Sequence, residues 1–312
     1  MHNLRFKLIK IQYCLLTLLS LIIMCLLLIR PDECLKYALS GLQLWFNRMI
    51  PTLFPFMVLS GIMVRMHLTN AFVSLLKPII RPFLRISPSC IYGIVIGFLC
   101  GFPMGAHTAA ELYKNGQITR DEASFLLAFC NNIGPVYFLS FVIPTLSLSH
   151  TTYFLFGMYG IPFLYGVVLR YSIYRKRITL TNTAGLPSPA LSFLKALDES
   201  VFSSLSGIAR LGGYMIFFQL LFIFPKLLPV SSMLQNVLCC LLEITGGINM
   251  TGKSLPKLIL CILPFGGFSC IVQTYSMIKS TDLSLIEYVM HKMILTAITV
   301  CYYTLSAGKY FV

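Results

Sequence analysis

Two short runs in this chain could turn main-chain polar groups toward a ligand: Gly101-Phe102-Pro103-Met104-Gly105 and Asn131-Asn132-Ile133-Gly134-Pro135. Each interrupts an apolar stretch, 91–100 before the first and 125–130 before the second. Proline removes a backbone donor, and glycine lowers the cost of leaving a helix. At membrane depth the freed N–H and C=O groups must be met by protein or by a water-filled cavity. Broken helices in that setting are how many transporters build a substrate site. In the first run, Gly101, Pro103 and Gly105 would form a hairpin tip whose N–H groups face a carboxylate. The plainer reading is a tight helix crossing by small residues. In the second, Asn131 and Asn132 beside Gly134 offer neutral donors within an unwound turn, or else caps and interhelical hydrogen bonds.

A third interruption, Pro264-Phe265-Gly266-Gly267-Phe268-Ser269, lies in the run 258–278. Gly267, Ser269, Gln273 and Thr274 are its candidate ligand contacts. Glu243 ends the apolar run 230–242 and precedes Thr245, Gly246, Gly247 and Asn249. An ionisable group at that depth is a functional candidate by default, as a proton or cation coupler or an ion-pair anchor. Glu243, Thr245 and Asn249 therefore form the candidate ion-coupling set, against a plainer reading as interface residues. Glu111 and Glu122 serve the polar connection between the first two interruptions, with Lys114 and Arg120 as neighbours. His107, His150 and His291 are scattered without ligand spacing, so neither a metal nor a cofactor is expected. Neither Gly-x-Ser-x-Gly nor His-Glu-x-x-His occurs, and the chain reads as no enzyme.

The elements that must position these residues are membrane helices. The chain is 57% hydrophobic and only 11% charged, where soluble domains run about a quarter charged. Its long continuous apolar runs fit an all-α polytopic membrane protein and not the short alternating segments of a barrel. The net charge of +14 sits mostly beside apolar runs, where it orients the chain and touches anionic lipid; no nucleic-acid partner is expected. Eleven cysteines form no Cys-x-x-Cys pair and mostly lie in apolar runs, where cysteine behaves as a small hydrophobe.

Arg5, Lys7 and Lys10 precede the run 14–29, which reads as an uncleaved first helix with a cytoplasmic N-terminus. The stretch 42–64 carries Arg48, Pro51 and Pro55; its first part is expected to be amphipathic or bent and its second part to enter the membrane. Residues 65–85, with Lys77, Arg81 and Arg85, read as an interface-lying cytoplasmic segment. The next basic cluster follows Arg170. Three apolar runs separate the two clusters, so one run is expected to be re-entrant if both clusters are cytoplasmic. Residues 179–189, TLTNTAGLPSP, form a polar linker between a first transmembrane half, 1–178, and a second, 190–312. Gly101-Phe102 aligns with Gly267-Phe268, Ile118-Thr119 with Leu283-Ser284, and Glu122 with Glu287. That order predicts two repeat halves, each containing broken or re-entrant helices, as in repeat-built transporters.

The stretch GFPMGAHTAAELYKNGQITRDEASFLLAFCNNIGP resembles the sporulation integral membrane protein family called YlbJ or SpoVV. Gly101, Pro103, Gly105 and Ala106, then Gly116, Ile118, Thr119, Glu122 and Ala123, then Asn132, Gly134 and Pro135 carry the likeness. Leu242-Glu243-Ile244-Thr245-Gly246-Gly247 also looks like the family's Glu-x-Thr-x-Gly element. The resemblance implies a nucleoside-recognition gate domain and movement of dipicolinate toward the forespore, across the mother-cell-derived outer forespore membrane. The expected partners are thus a small anionic substrate and membrane lipid, with a homo-oligomer left open. The alternatives are a nucleoside-type transporter and a non-transporting subunit of a membrane complex.

Overall fold

A computed structural model describes residues 2–178 and 191–305. The polar linker at 179–189 lies outside the described residues. Every regular element among the described residues is helical, in agreement with an all-α chain. We number the helices α1 His2–Ile29 and α2 Pro31–Arg65, then α3 Thr69–Leu84, α4 Pro88–Cys100, α5 Met104–Lys114 and α6 Arg120–Phe129. They continue with α7 Pro135–Leu146, α8 Thr151–Tyr171, α9 Phe193–Leu227 and α10 Ser232–Leu242. The last four are α11 Ile244–Thr251, α12 Pro256–Ile262, α13 Phe268–Ile278 and α14 Leu285–Leu305.

Local chemistry sets many of the starts. Proline occupies the first turn of α2, α4, α7 and α12, where its missing donor is one the helix would leave unpaired anyway. Ser87 caps α4 by accepting from Cys90 N, and Ser231 caps α10 by accepting from Leu234 N. Thr119 and Glu122 form a complete capping box on α6.

Prolines inside the long helices are accommodated by a local change of helix type. Three wide π turns, Trp45–Met49, Phe138–Val142 and Phe156–Gly160, each end two residues before a proline: Pro51, Pro144 and Pro162. A proline ring clashes with the carbonyl four residues back. One residue of slack in the preceding turn moves that carbonyl away, so the helix runs through. The segment α2 is accordingly continuous over 35 residues.

Four helices, α2, α8, α9 and α14, are long and apolar enough to cross a membrane. The pair Leu76–Leu84 and Pro88–Cys100 adds a fifth if it is one bent span; its two parts meet at 102° around Arg85, whose φ is 47°. Large apolar side chains face outward on these helices, among them Phe202 (76% exposed) and Ile286 (75%). Such surface is unfavourable in water and favourable against lipid. The chain is a multi-pass membrane protein.

Helix α9 lies along α2 with backbone nearly touching: a Cβ added at Gly41 would sit 2.9 Å from Ile216 Cα. Helix α14 packs on α6, α8, α12 and α13. The two apolar clusters each draw on both sides of the linker. One joins Tyr92, Phe125 and Tyr174 to Ile208, Met215 and Tyr288. The other joins Phe138 and Phe154 to Ile244, Leu260 and Tyr303. The described residues before and after the linker thus share both clusters.

Candidate functional site

The chain leaves the helix at each of the sequence interruptions. Between α4 and α5, Gly101 takes φ 74°, ψ −165°, and the Phe102–Pro103 peptide is cis. Between α6 and α7 the break spans Asn131 to Gly134. These two breaks cross in direct contact. Gly97, Gly101 and Gly105, four residues apart, face the second break: added Cβ atoms would lie 2.8 Å from Cys130 Cβ, 2.2 Å from Gly134 N and 3.0 Å from Asn131 Oδ1. The small-residue crossing named as the plainer reading is thus what these glycines make.

Gly101 N donates to Gly97 O and Gly105 N to Gly101 O, both at 3.0 Å, and neighbouring N–H groups bond across the crossing. Phe102 N donates to Asn132 O at 2.5 Å, and Ala106 N donates to Asn131 Oδ1 at 3.2 Å. Pro103 and Gly105 are buried in the contact.

Both asparagines then reach the C-terminal part of the chain. Asn131 Nδ2 donates to Thr274 Oγ1 at 3.0 Å on α13 and to Tyr288 OH at 3.2 Å on α14. Asn132 Oδ1 accepts from Lys292 Nζ at 2.9 Å, and the same ammonium donates to Asn131 O. Lys292 is 2% exposed. It is not among the sequence candidates, although a lysine within a spanning run is a signal of function.

Glu243 organises a second cluster. It stands in extended conformation (φ −147°, ψ 114°) between α10 and α11. Its carboxylate accepts from Thr245 N at 2.9 Å, Gly246 N at 2.6 Å and Gln219 Nε2 at 2.9 Å. This is an N-cap carboxylate at the positive end of a helix. The hydroxyl of Tyr137, just past the second break, is buried and has no hydrogen-bond partner. Gly267 packs on the same place: its added Cβ would sit 3.1 Å from the carbonyl oxygens of Cys240 and Leu241. Gly267, at φ 85°, ψ 167°, precedes α13 much as Gly101 precedes α5.

Of the other candidates, Ser269 and Gln273 are buried on α13, Gln273 with an amide oxygen that has no hydrogen-bond partner. Asn249, one turn after the buried Thr245 and near the other end of α11, is exposed and makes no contact with the Glu243 carboxylate.

The polar connection is wired differently from the expected neighbours. Glu111 pairs with Arg65 at 3.1 Å, not with Lys114. Arg120 pairs with Asp282 at 2.9 Å, and Glu122 accepts from Thr119 N and Ser87 N. Helical residues one turn apart in sequence face where packing turns them, and Arg65 and Asp282 come from other elements. His291 bonds Tyr165 at 2.7 Å. Among the described residues no group of three or more His, Cys, Asp or Glu could hold a metal ion.

Neither a family model nor a solved structure matches the chain. It is similar to the sporulation integral membrane protein YlbJ of Bacillus subtilis (strain 168): 24% identical over 302 aligned residues, 81% of this chain and 72% of that protein. With four helices of membrane-spanning length and apolarity, this chain is an integral membrane protein similar to YlbJ over most of its length.

Proposed function

We propose that the protein carries a small anionic metabolite across a membrane, with the crossing of the broken helices as its substrate site. The observation that carries the reading is the buried junction of Asn131 with Thr274 and Tyr288. There an unwound segment meets two helices from beyond the linker. Polar groups gathered at a main-chain break among bilayer-length helices are what a transporter needs and what a passive anchor does not. Glu243, held by neutral donors beside Thr245, is the coupling group in this reading.

The relative's name points to sporulation, and the family resemblance points to dipicolinate, uptake toward the forespore and the outer forespore membrane. The gate-domain relationship belongs to the same proposal. The test is uptake of labelled dipicolinate into vesicles reconstituted with the full chain. Wild-type protein should accumulate it saturably, and Asn132→Ala and Thr274→Val should reduce the rate at unchanged insertion. Uptake of uridine in its place would make the protein a nucleoside-type transporter. Transport of neither would leave a non-transporting subunit.

A further inference from the structure

Buried cations are ordinarily paired with an anion, because an isolated charge away from water is costly. Lys292 departs from this. Its ammonium donates to Asn131 O and to Asn132 Oδ1 at 2.9 Å, and lies 5.7 Å from the centre of the Tyr288 ring. All three neighbours are neutral. The ion pairs among the described residues involve Arg30, Arg65, His107 and Arg120 instead.

Three carboxylates in this part of the chain are bound to other groups. Glu243 accepts from Thr245 N, Gly246 N and Gln219. Glu122 accepts from Thr119 N and Ser87 N, and Glu287 from Tyr174 OH. An ammonium has three N–H donors, and two are directed at the break. Unused polar capacity sits on helices packed there: the Gln273 amide oxygen on α13 and the Thr108 hydroxyl on α5 have no hydrogen-bond partner.

We propose that Lys292 is the charge partner of the transported anion: a small carboxylate seats against its third donor at the crossing of the two breaks. The asparagines in this arrangement hold the ammonium, and the ammonium holds the substrate. This rests on the transporter reading above and adds to it the residue that selects negative charge. A neutral cargo would have no use for an uncompensated cation at this place.

The test compares binding of dipicolinate, picolinate and the neutral dipicolinamide to the detergent-purified full chain, by calorimetry, alongside vesicle uptake. Wild-type protein should prefer the carboxylates to the diamide. Lys292→Gln should weaken dipicolinate binding by on the order of tenfold or more, as expected for a lost charge-assisted hydrogen bond. It should leave diamide binding unchanged, and Lys292→Arg should retain carboxylate preference. Equal dipicolinate binding by Lys292→Gln and wild type overturns the role of Lys292 while the transporter reading stands. A wild-type preference for the diamide overturns it without any variant, and if Lys292→Gln fails to fold, loss of carboxylate preference in a folded Lys292→Arg, which keeps the charge, overturns it as well. No binding or uptake of any of the three by wild type removes the transporter reading and this inference together.

Discussion

Gly101 and Gly134 are in backbone contact: a Cβ built on Gly101 would lie 2.2 Å from the main-chain nitrogen of Gly134. The contact joins two non-helical segments 33 residues apart in sequence, and Phe102 N to Asn132 O closes it. Side-chain-free backbone at this place is what lets the residues just before Gly134, Asn131 and Asn132, reach α13 and α14.

Gly101→Ala should therefore be severe. The left-handed φ of 74° and the overlap with fixed backbone act together, and we expect a loss of about 3 kcal/mol or more. Gly116→Ala is the control: its φ is 66°, but an added Cβ meets nothing within 4 Å. Strain alone should cost about 1 kcal/mol there. Thermal unfolding of the two purified variants, side by side, checks the ranking; equal losses would show that the crossing is looser than described.

The α6 capping box has a second duty. Glu122 Oε2 accepts from Thr119 N while Oε1 accepts from Ser87 N, the cap residue of α4. Removing the Thr119 hydroxyl by Thr119→Ala should cost about 1 kcal/mol. Glu122→Ala should cost more, about 2 to 4 kcal/mol, because two donors in a part-buried place lose a charged acceptor. A smaller effect at position 122 than at 119 would mean that water replaces the carboxylate there.

The single tryptophan reports on the α2–α9 contact. Trp45 Nε1 donates to Ile208 O at 2.8 Å, and Gly212 lies under its ring, where an added Cβ would come within 2.4 Å of Trp45 Cε2. Gly212→Val should displace the indole. The expected outcome is a shifted emission maximum and greater quenching by an aqueous or lipid-phase quencher. An unchanged spectrum would place the ring elsewhere.

Asp282 gives a pH signature outside the spanning helices. The Tyr113 hydroxyl bonded to it, and then the Arg120 guanidinium, hold its carboxyl below the usual carboxylate range. A depressed folded-state value contributes stability above the unfolded value of about 4 and loses it as pH falls through the folded value. Asp282 is exposed, so the effect should be small and screened by salt. Asp282→Asn should flatten the acid limb of the unfolding curve at low salt and change nothing measurable in high salt.

Local chemistry was legible in the sequence wherever neighbours in the chain decide the outcome. The composition excludes a soluble domain, Gly101 and the Pro264–Gly267 run mark where helices end, and Thr119 with Glu122 announces the start of α6. The π turn before Pro51 was not legible, because proline's clash can be relieved within one turn of helix and a widened turn leaves no composition signal. The basic segment with Arg81 and Arg85 does lead into a sharp turn, here 102°.

What the chain's order could not determine is which helix faces meet. Lys292, Tyr288 and Thr274 join Asn131 and Asn132 across more than 140 residues of sequence, and Arg120 finds Asp282 in place of a helical neighbour. Thr245 and Asn249 lie on one short helix, yet one is buried beside Glu243 and the other is exposed. Those outcomes follow from close packing of whole helices, where glycines at 97, 101 and 105 permit contact and larger residues forbid it. By itself the sequence determined where the main chain must unwind. Only the tertiary structure decided that the unwound segments cross one another around a buried ammonium, because that choice is made by surfaces far apart in the chain.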